Sequence, residues 1–251
     1  MENEAIFRFY EELNDFLPTR DRKRSKVYHF KGNPSVKDAI EAQNVPHTEV
    51  DLIVVNGDPV DFNYKLQKGD RVAVYPVFES FDISQLKEGG SRGLRQTRFI
   101  LDVHLGKLAK LLRMAGFDTY YRNDLDDREI VERAAEEDRI VLTRDRGILK
   151  NKLVKKGYYV RSQNSARQLE EVLDRFQLRQ SINFFTRCIV CNGMITRVGK
   201  KMIEKHLKPG TRKRFTVFFR CRGCGKIYWR GSHYQRMKSY YGSLLKNENS
   251  R

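Results

Sequence analysis

All four cysteines of the chain fall in two C-x-x-C pairs, Cys188 and Cys191 in CIVCNG and Cys221 and Cys224 in CRGCGK, separated by residues 192–220. Each knuckle can present two thiolates at one corner, so the two together suit a closed, tetrahedral, all-cysteine zinc site. A single C-x-x-C would also suit redox chemistry, but a second one in the same segment favours metal. The opening MENEAIFRFYEELN is acidic and broken by charge, unlike a secretory signal, and no cysteine is left over, which argues against disulfides. The expectation is a zinc ribbon over 179–251, folded by its ion because so polar a segment buries too little apolar surface alone. Gly225 suits the tight turn after the second knuckle.

The same segment carries most of the net charge of +17. Residues 177–251 hold 18 Lys and Arg against 2 Asp and Glu, whereas residues 1–82 hold 11 against 15. A polyanion is the partner this implies, since each cation placed on a phosphate releases counterions. Phe215, Phe218, Phe219, Tyr228, Trp229, Tyr234, Tyr240 and Tyr241 are interleaved with the basic residues, a composition that a disordered tail lacks. Tyr228 and Trp229 either pack over the knuckles or stack on bases. The longest apolar run, VAVYPVF at 72–78, is far short of the roughly 18 residues of a spanning helix. A cytoplasmic protein without a membrane segment is expected.

Toward the N-terminus, AIFRFY (5–10) and KVYHF (26–30) alternate as half-buried strands do, with a polar stretch from Glu11 to Ser25 between them. NPSVKDAIEAQNV reads as a short helix with Ser35 as N-cap and Asp38 three residues on. DLIVVNGDPVDF, with its Asn56-Gly57 turn, and LQKGDRVAVYPVF supply two more strands. Strand, strand, helix, strand, strand is the order of a β-grasp domain over 1–82. Residues 83–97, polar and Gly-rich, read as a linker. VNGDPVDFNYKLQKGDRVAVYPVFE resembles the ubiquitin-like sulfur carriers, which end in a free Gly-Gly. Gly89-Gly90 here lies far inside the chain, so a docking or stabilising module is expected instead.

Over 98–178 strands and helices alternate: FILD (99–102), a helix with Leu105, Leu108, Leu111 and Leu112 on one face, FDTYY (117–121), the helix DDREIVERAAEED, RIVLT (139–143), GYYV, and the helix NSARQLEEVLDRF. That alternation predicts a parallel sheet with helices on its faces. Asp102, Asp124 and Asp145 each follow one of the first three strands, and ligands of such sheets sit beyond the carboxyl ends of the strands. Any one of these acids alone reads as a helix cap or turn residue, as does Asp127 at the start of a helix. Their repetition favours a carboxylate cluster neutralised by magnesium or manganese, hard cations that prefer oxygen donors. A haloacid-type phosphatase would want a second Asp where His104 stands. Inside a basic protein, an acidic metal site suits phosphodiester hydrolysis, with Arg144 and Arg146 beside Asp145 to hold phosphate oxygens.

FILDVHLGKLAKLLRMAGFDTYYRNDLDDREIVERAAEEDRIVLTRDRGIL is similar to the PIN-like mut-seven C-terminal RNase domain, a family whose members often carry an N-terminal ubiquitin-like domain and end in a zinc ribbon. YWRGSHYQRM at 228–237 resembles the family's ending. The resemblance implies a metal-dependent ribonuclease, plausibly an endonuclease acting on tRNA or another abundant RNA, with acids at Asp102, Asp124, Asp145 and Asp127. PIN nucleases usually place a helical Glu as the second acid, which leaves open which residue fills that position here. Arg230, His233 and Arg236 become expected RNA contacts. The competing expectation is a non-catalytic RNA-binding adaptor whose β-grasp domain docks a protein partner.

Overall fold

In the computed structural model, which describes residues 2–76 and 97–246, the alternating run NEAIFRF forms β1 (Asn3–Phe9). It buries Ala5, Phe7 and Phe9 and turns Glu4, Ile6 and Arg8 outward. β2 (Ser25–Phe30) pairs antiparallel with it. Helix α1 (Val36–Ala42) begins in a reciprocal capping box: the Asp38 N–H donates to Ser35 Oγ at 3.1 Å, and the Ser35 N–H donates to Asp38 Oδ2 at 3.3 Å. β3 (Leu52–Val55) and β4 (Asp58–Val60) are joined by Asn56 and Gly57, with φ of 54° and 103°, the two-residue turn whose twist matches a hairpin. β5 (Arg71–Tyr75) lies parallel to β1, completing the order β2-β1-β5-β3-β4. One correction concerns the stretch 11–25, expected to be merely polar. It forms 3-10 turns at Glu11–Phe16 and Thr19–Asp21. The threefold period of the first carries Leu13 and Phe16 together into the core.

Beyond Thr97 the elements are β6 (Arg98–Leu101), α2 (Gly106–Ala115), β7 (Asp118–Tyr120), α3 (Asp127–Glu136), β8 (Ile140–Thr143), α4 (Arg146–Lys150), β9 (Gly157–Tyr159) and α5 (Ser165–Arg175). β6 pairs with β7 and β8 with β9, both in parallel, as the alternation requires. β6 is buried at Phe99, Ile100 and Leu101, the continuous apolar run of a strand covered on both faces. Leu111, expected on the buried face of α2, is only half-buried, while Ala109 and Arg113 take buried places. The short helix α4 directly after Asp145 is an addition to the elements read from sequence. The expected linker 83–97, with Gly89-Gly90, lies outside the described residues except for Thr97, as do residues 247–251.

The chain divides into two compact units, Met1–Gly93 with Asp127–Tyr159, and Leu94–Asp126 with Val160–Arg251. Within the first, a 3-10 turn at His47–Glu49 ties the β-grasp domain to the segment from α3 to β9 by buried polar contacts. The Tyr159 N–H donates to Glu49 Oε1 at 2.6 Å, with Glu49 only 1% exposed. The His47 ring meets Val154 O at 3.0 Å through Nε2 and Glu41 at 2.5 Å through Nδ1. In the second unit α2 packs against α5, and Phe99 contacts the rings of Phe117 and Phe176.

The C-terminal part of the second unit is a three-stranded antiparallel sheet of β10 (Ile195–Val198), β11 (Phe218–Cys221) and β12 (Ile227–Trp229). Two short helices, α6 (Lys200–Ile203) and α7 (Pro209–Arg214), lie in the connection between β10 and β11. The chain then continues as α8 (Ser232–Lys246). This helix is absent from the sequence reading. Its apolar positions Tyr234, Met237, Tyr241 and Leu244 recur at helical spacing but are diluted by charge and by further aromatics. Tyr241 and Leu244 are buried, and Tyr241 Oη donates to Leu111 O at 2.7 Å. Among the described residues no helix is long and apolar enough to cross a membrane.

Candidate metal centre and acidic strand ends

The first knuckle precedes β10 and the second spans the end of β11, so pairing of these strands brings the cysteines together: Ile195 lies opposite Cys221. The four sulfurs all lie within 4.8 Å of one another, with Cys188 and Cys224 Sγ 3.6 Å apart and Cys191 and Cys221 Sγ 3.3 Å apart. Four thiolates around one zinc at about 2.3 Å would stand roughly 3.8 Å apart, so the donor set fits that ion. Space is tight at Gly193, where a Cβ would stand 3.0 Å from Cys221 Sγ and 3.3 Å from Cys191 Sγ, so a side chain there would push on the cluster. Gly225, at φ +73°, makes the left-handed turn expected of it. Burial pushes the Cys191 thiol up, but the Gly193 backbone amide and the neighbouring thiols outweigh it and bring it down to about 6. Burial and the same neighbours push Cys224 up to about 12. Without a cation, therefore, the cluster resists holding four thiolates. Tyr228 Oη lies 3.0 Å from Cys188 Sγ, and burial followed by that sulfur raises its pKa. Tyr228 thus packs on a knuckle, while Trp229 leans toward Phe215 at 6.3 Å between ring centres.

Three residues that sequence reasoning passed over fasten the first knuckle to β7 and α2. The buried Arg113 guanidinium donates to four carbonyls, those of Thr119 at 3.0 Å, Tyr121 at 3.1 Å, Ile189 at 3.3 Å and Val190 at 2.8 Å. Asn192 accepts from the Thr119 N–H at 3.1 Å and donates to Asp118 at 2.9 Å. Arg187 pairs with Asp118 at 3.3 Å. Only the Asn-Gly after Cys191 hinted at this arrangement: Asn192 has φ 66°, which Asn tolerates better than most residues.

Three of the four acids singled out by position follow a strand, and the fourth opens a helix. Asp102 follows β6, is 4% exposed, and caps a 3-10 turn at Val103–Leu105 by accepting from the His104 N–H at 2.8 Å. Asp124 follows β7 in the same unit. It is exposed and paired with Arg122 at 2.9 Å, and the hydrogen bond from Arg122 holds its carboxyl below the usual range. Asp145 follows β8 and caps α4, accepting from the Gly147 N–H at 2.6 Å. Asp127 is the exposed first residue of α3. β6 and β7 run parallel, so Asp102 and Asp124 leave their pair at the same end.

The basic residues separate into two kinds. Arg146 is half-buried, its guanidinium lying 5.2 Å over the Phe16 ring and 5.7 Å over Tyr159 and donating to the Phe16 and Asp15 carbonyls at 3.3 and 3.5 Å. Arg144 is half-buried, while Arg230, His233 and Arg236 are exposed. Arg230 covers the rings of Phe219 and Tyr234 at 5.4 and 5.6 Å.

Comparison with known proteins matches residues 97–241 to the family model described as the Mut7-C RNAse domain, and residues 2–82 to that described as Mut7-C ubiquitin. No curated protein matches the chain. The first match points to a ribonuclease-like enzyme and to interaction with RNA. The second points to protein interaction.

Proposed function

Because the chain belongs to the family of the Mut7-C RNAse domain and carries the Mut7-C ubiquitin domain ahead of it, we propose that it is a metal-dependent endoribonuclease of the cytoplasm, acting on tRNA or another abundant structured RNA. The observation that carries the reading is the acid immediately beyond β6, soon after β7 and close behind β8, the strand ends where parallel α/β sheets bind ligands. Asp102, Asp124 and Asp145 would hold magnesium or manganese, whose hard character suits carboxylate oxygens, with Asp127 as a further acid of the site. Such an ion, when bound, supplies an activated water and a stabilised leaving oxygen for phosphodiester hydrolysis. Asp102 and Asp145 are each held in place by the backbone amide they cap, which limits the reorganisation each side chain needs.

Arg144, Arg230, His233 and Arg236 meet backbone phosphates. Arg146 has a guanidinium engaged by Phe16 and Asp15, and it anchors the helix behind Asp145 to the 3-10 turn Glu11–Phe16 of the β-grasp domain. The four cysteines hold structural zinc, and the β-grasp domain offers its remaining surface to a protein partner. Incubating total RNA and manganese with the wild type and with an Asp102→Asn, Asp145→Asn double variant tests the reading. Cleavage by the wild type alone is expected; equal cleavage by both, or none with any divalent metal, would sink it.

A further inference from the structure

The second unit holds a cavity of about 320 Å³ bounded by the ribbon strand β12, the start of α8 and the Phe184-Phe185 segment. Phe184, Phe185, Tyr228 and Tyr234 line it together with isoleucine and methionine side chains. Phe185 stands edge-on to Tyr234 at 4.9 Å between ring centres, and Trp229, 38% exposed, forms part of the lip. Lys226 and His233, both exposed, line the same opening, and Arg230 lies outside it over Tyr234. A purely apolar ligand would gain nothing from this cationic rim. A folded duplex is far too wide for a cavity at the small end of ligand pockets. What matches both wall and rim is one flat π-system attached to a negatively charged chain.

We infer that this cavity receives a single unstacked nucleobase of RNA, with the flanking phosphates on the rim cations. Charge complementarity supports that occupant over a peptide side chain, because the segment around the cavity carries 18 Lys and Arg against 2 acids. Aromatic walls take any base by its face, the ordinary means by which single-stranded RNA is gripped without strict sequence preference. The inference rests on the proposed RNA substrate, but none of the four acids lines the cavity, so it adds a grip on a splayed base at the zinc ribbon to the proposed cleavage at the acids.

The chain has a single tryptophan, Trp229, so its emission reports on the lip of the cavity alone. Zinc-loaded full-length protein, with neither magnesium nor manganese added, is titrated with a single-stranded RNA and with an abasic ribose-phosphate chain of equal length and charge. The RNA is expected to quench Trp229 saturably and to bind roughly tenfold more tightly than the abasic chain. Trp229→Ala, checked for zinc content and far-UV dichroism and titrated by the fluorescence anisotropy of end-labelled chains because it has no tryptophan to quench, should lose that advantage of RNA over the abasic chain. If this variant misfolds, the comparison of the two chains on the wild type decides alone. Equal affinity and equal quenching by both chains overturn the inference and leave the ribonuclease reading standing if the double acid variant has lost cleavage. Base-dependent quenching without cleavage by the wild type supports the cavity and overturns the ribonuclease. Quenching by an aromatic peptide but not by RNA reassigns the cavity to a protein partner.

Discussion

The β-grasp sheet and the zinc ribbon are both small β structures, yet they close by different physics. The first has a continuous apolar core, with Ala5, Phe7, Leu13, Phe16, Val36, Ile40, Leu66, Val72 and Val74 all nearly inaccessible. In the ribbon sheet only Phe218 and Cys221 are buried, and the strands β10 and β12 are at most half-buried. What substitutes for a core is the sulfur cluster and the polar fastening of its first knuckle to β7 and α2. A sheet too polar to close by burial can therefore still be specified by four side chains at fixed spacing.

The sharpest way to break that comparison is to remove the metal. Chelation or Cys221→Ser should unfold the ribbon, a loss on the order of 10 kcal/mol of metal-linked folding energy, while the β-grasp amides stay protected. Hydrogen exchange resolved by peptide reads both regions at once, and a ribbon still protected without zinc would show that packing suffices. The thiol pKa values give the accompanying pH dependence. Cys191, at about 6, is already a thiolate at neutral pH, whereas Cys224, at about 12, must lose its proton to bind. Zinc uptake should thus release protons into a weakly buffered solution, and zinc retention should fall more steeply once acidification passes about 6, where Cys191 is protonated too.

The converse change is Phe7→Ala. It should cost the first unit roughly 3 to 5 kcal/mol in denaturant unfolding, with zinc affinity unaltered. Arg113→Met probes the fastening rather than the cluster. Orphaning four carbonyls should cost about 3 kcal/mol and speed zinc loss to a competing chelator; unchanged zinc release would show that the knuckle stands without this brace.

The smallest effect belongs to a pair in the first unit. Burial raises the Glu137 carboxyl, but Arg139 at 2.7 Å and Arg133 at 2.8 Å outweigh it and hold it below its ordinary value of 4.5. A depressed acid stabilises the fold above its unfolded pKa and loses that contribution as pH falls through the folded one. Glu137→Gln should accordingly cost about 1 kcal/mol at neutral pH, with the difference from wild type vanishing in acid below 4.5, measured by thermal unfolding across pH.

Much of this architecture is readable in order along the chain because its causes are local. Ser35 caps a helix three residues from Asp38, Asn56-Gly57 turns a hairpin, and each C-x-x-C brings two sulfurs to one corner. The parallel pairing of the middle strands follows from their alternation with helices. The places of Asp102 and Asp145, just beyond β6 and β8, were legible in the same way. The structure adds that Asp102 and Asp145 each cap the turn that follows, so the cap and the proposed catalytic role are properties of the same side chain.

Other features have causes that lie far apart in sequence. Arg113 reads as a surface position of an amphipathic helix, and only the knuckle carbonyls 76 and 77 residues away make it a buried brace. Glu49 reads as a loop acid until the Tyr159 amide, 110 residues on, arrives to be capped by it. Helix α8 is hidden because half of its apolar stripe is tyrosine, and the stripe takes its meaning from what it packs against. Spacing and turn chemistry act within a few residues and so are written in order, whereas a buried charge or an amphipathic tyrosine acquires its role from partners that folding alone supplies.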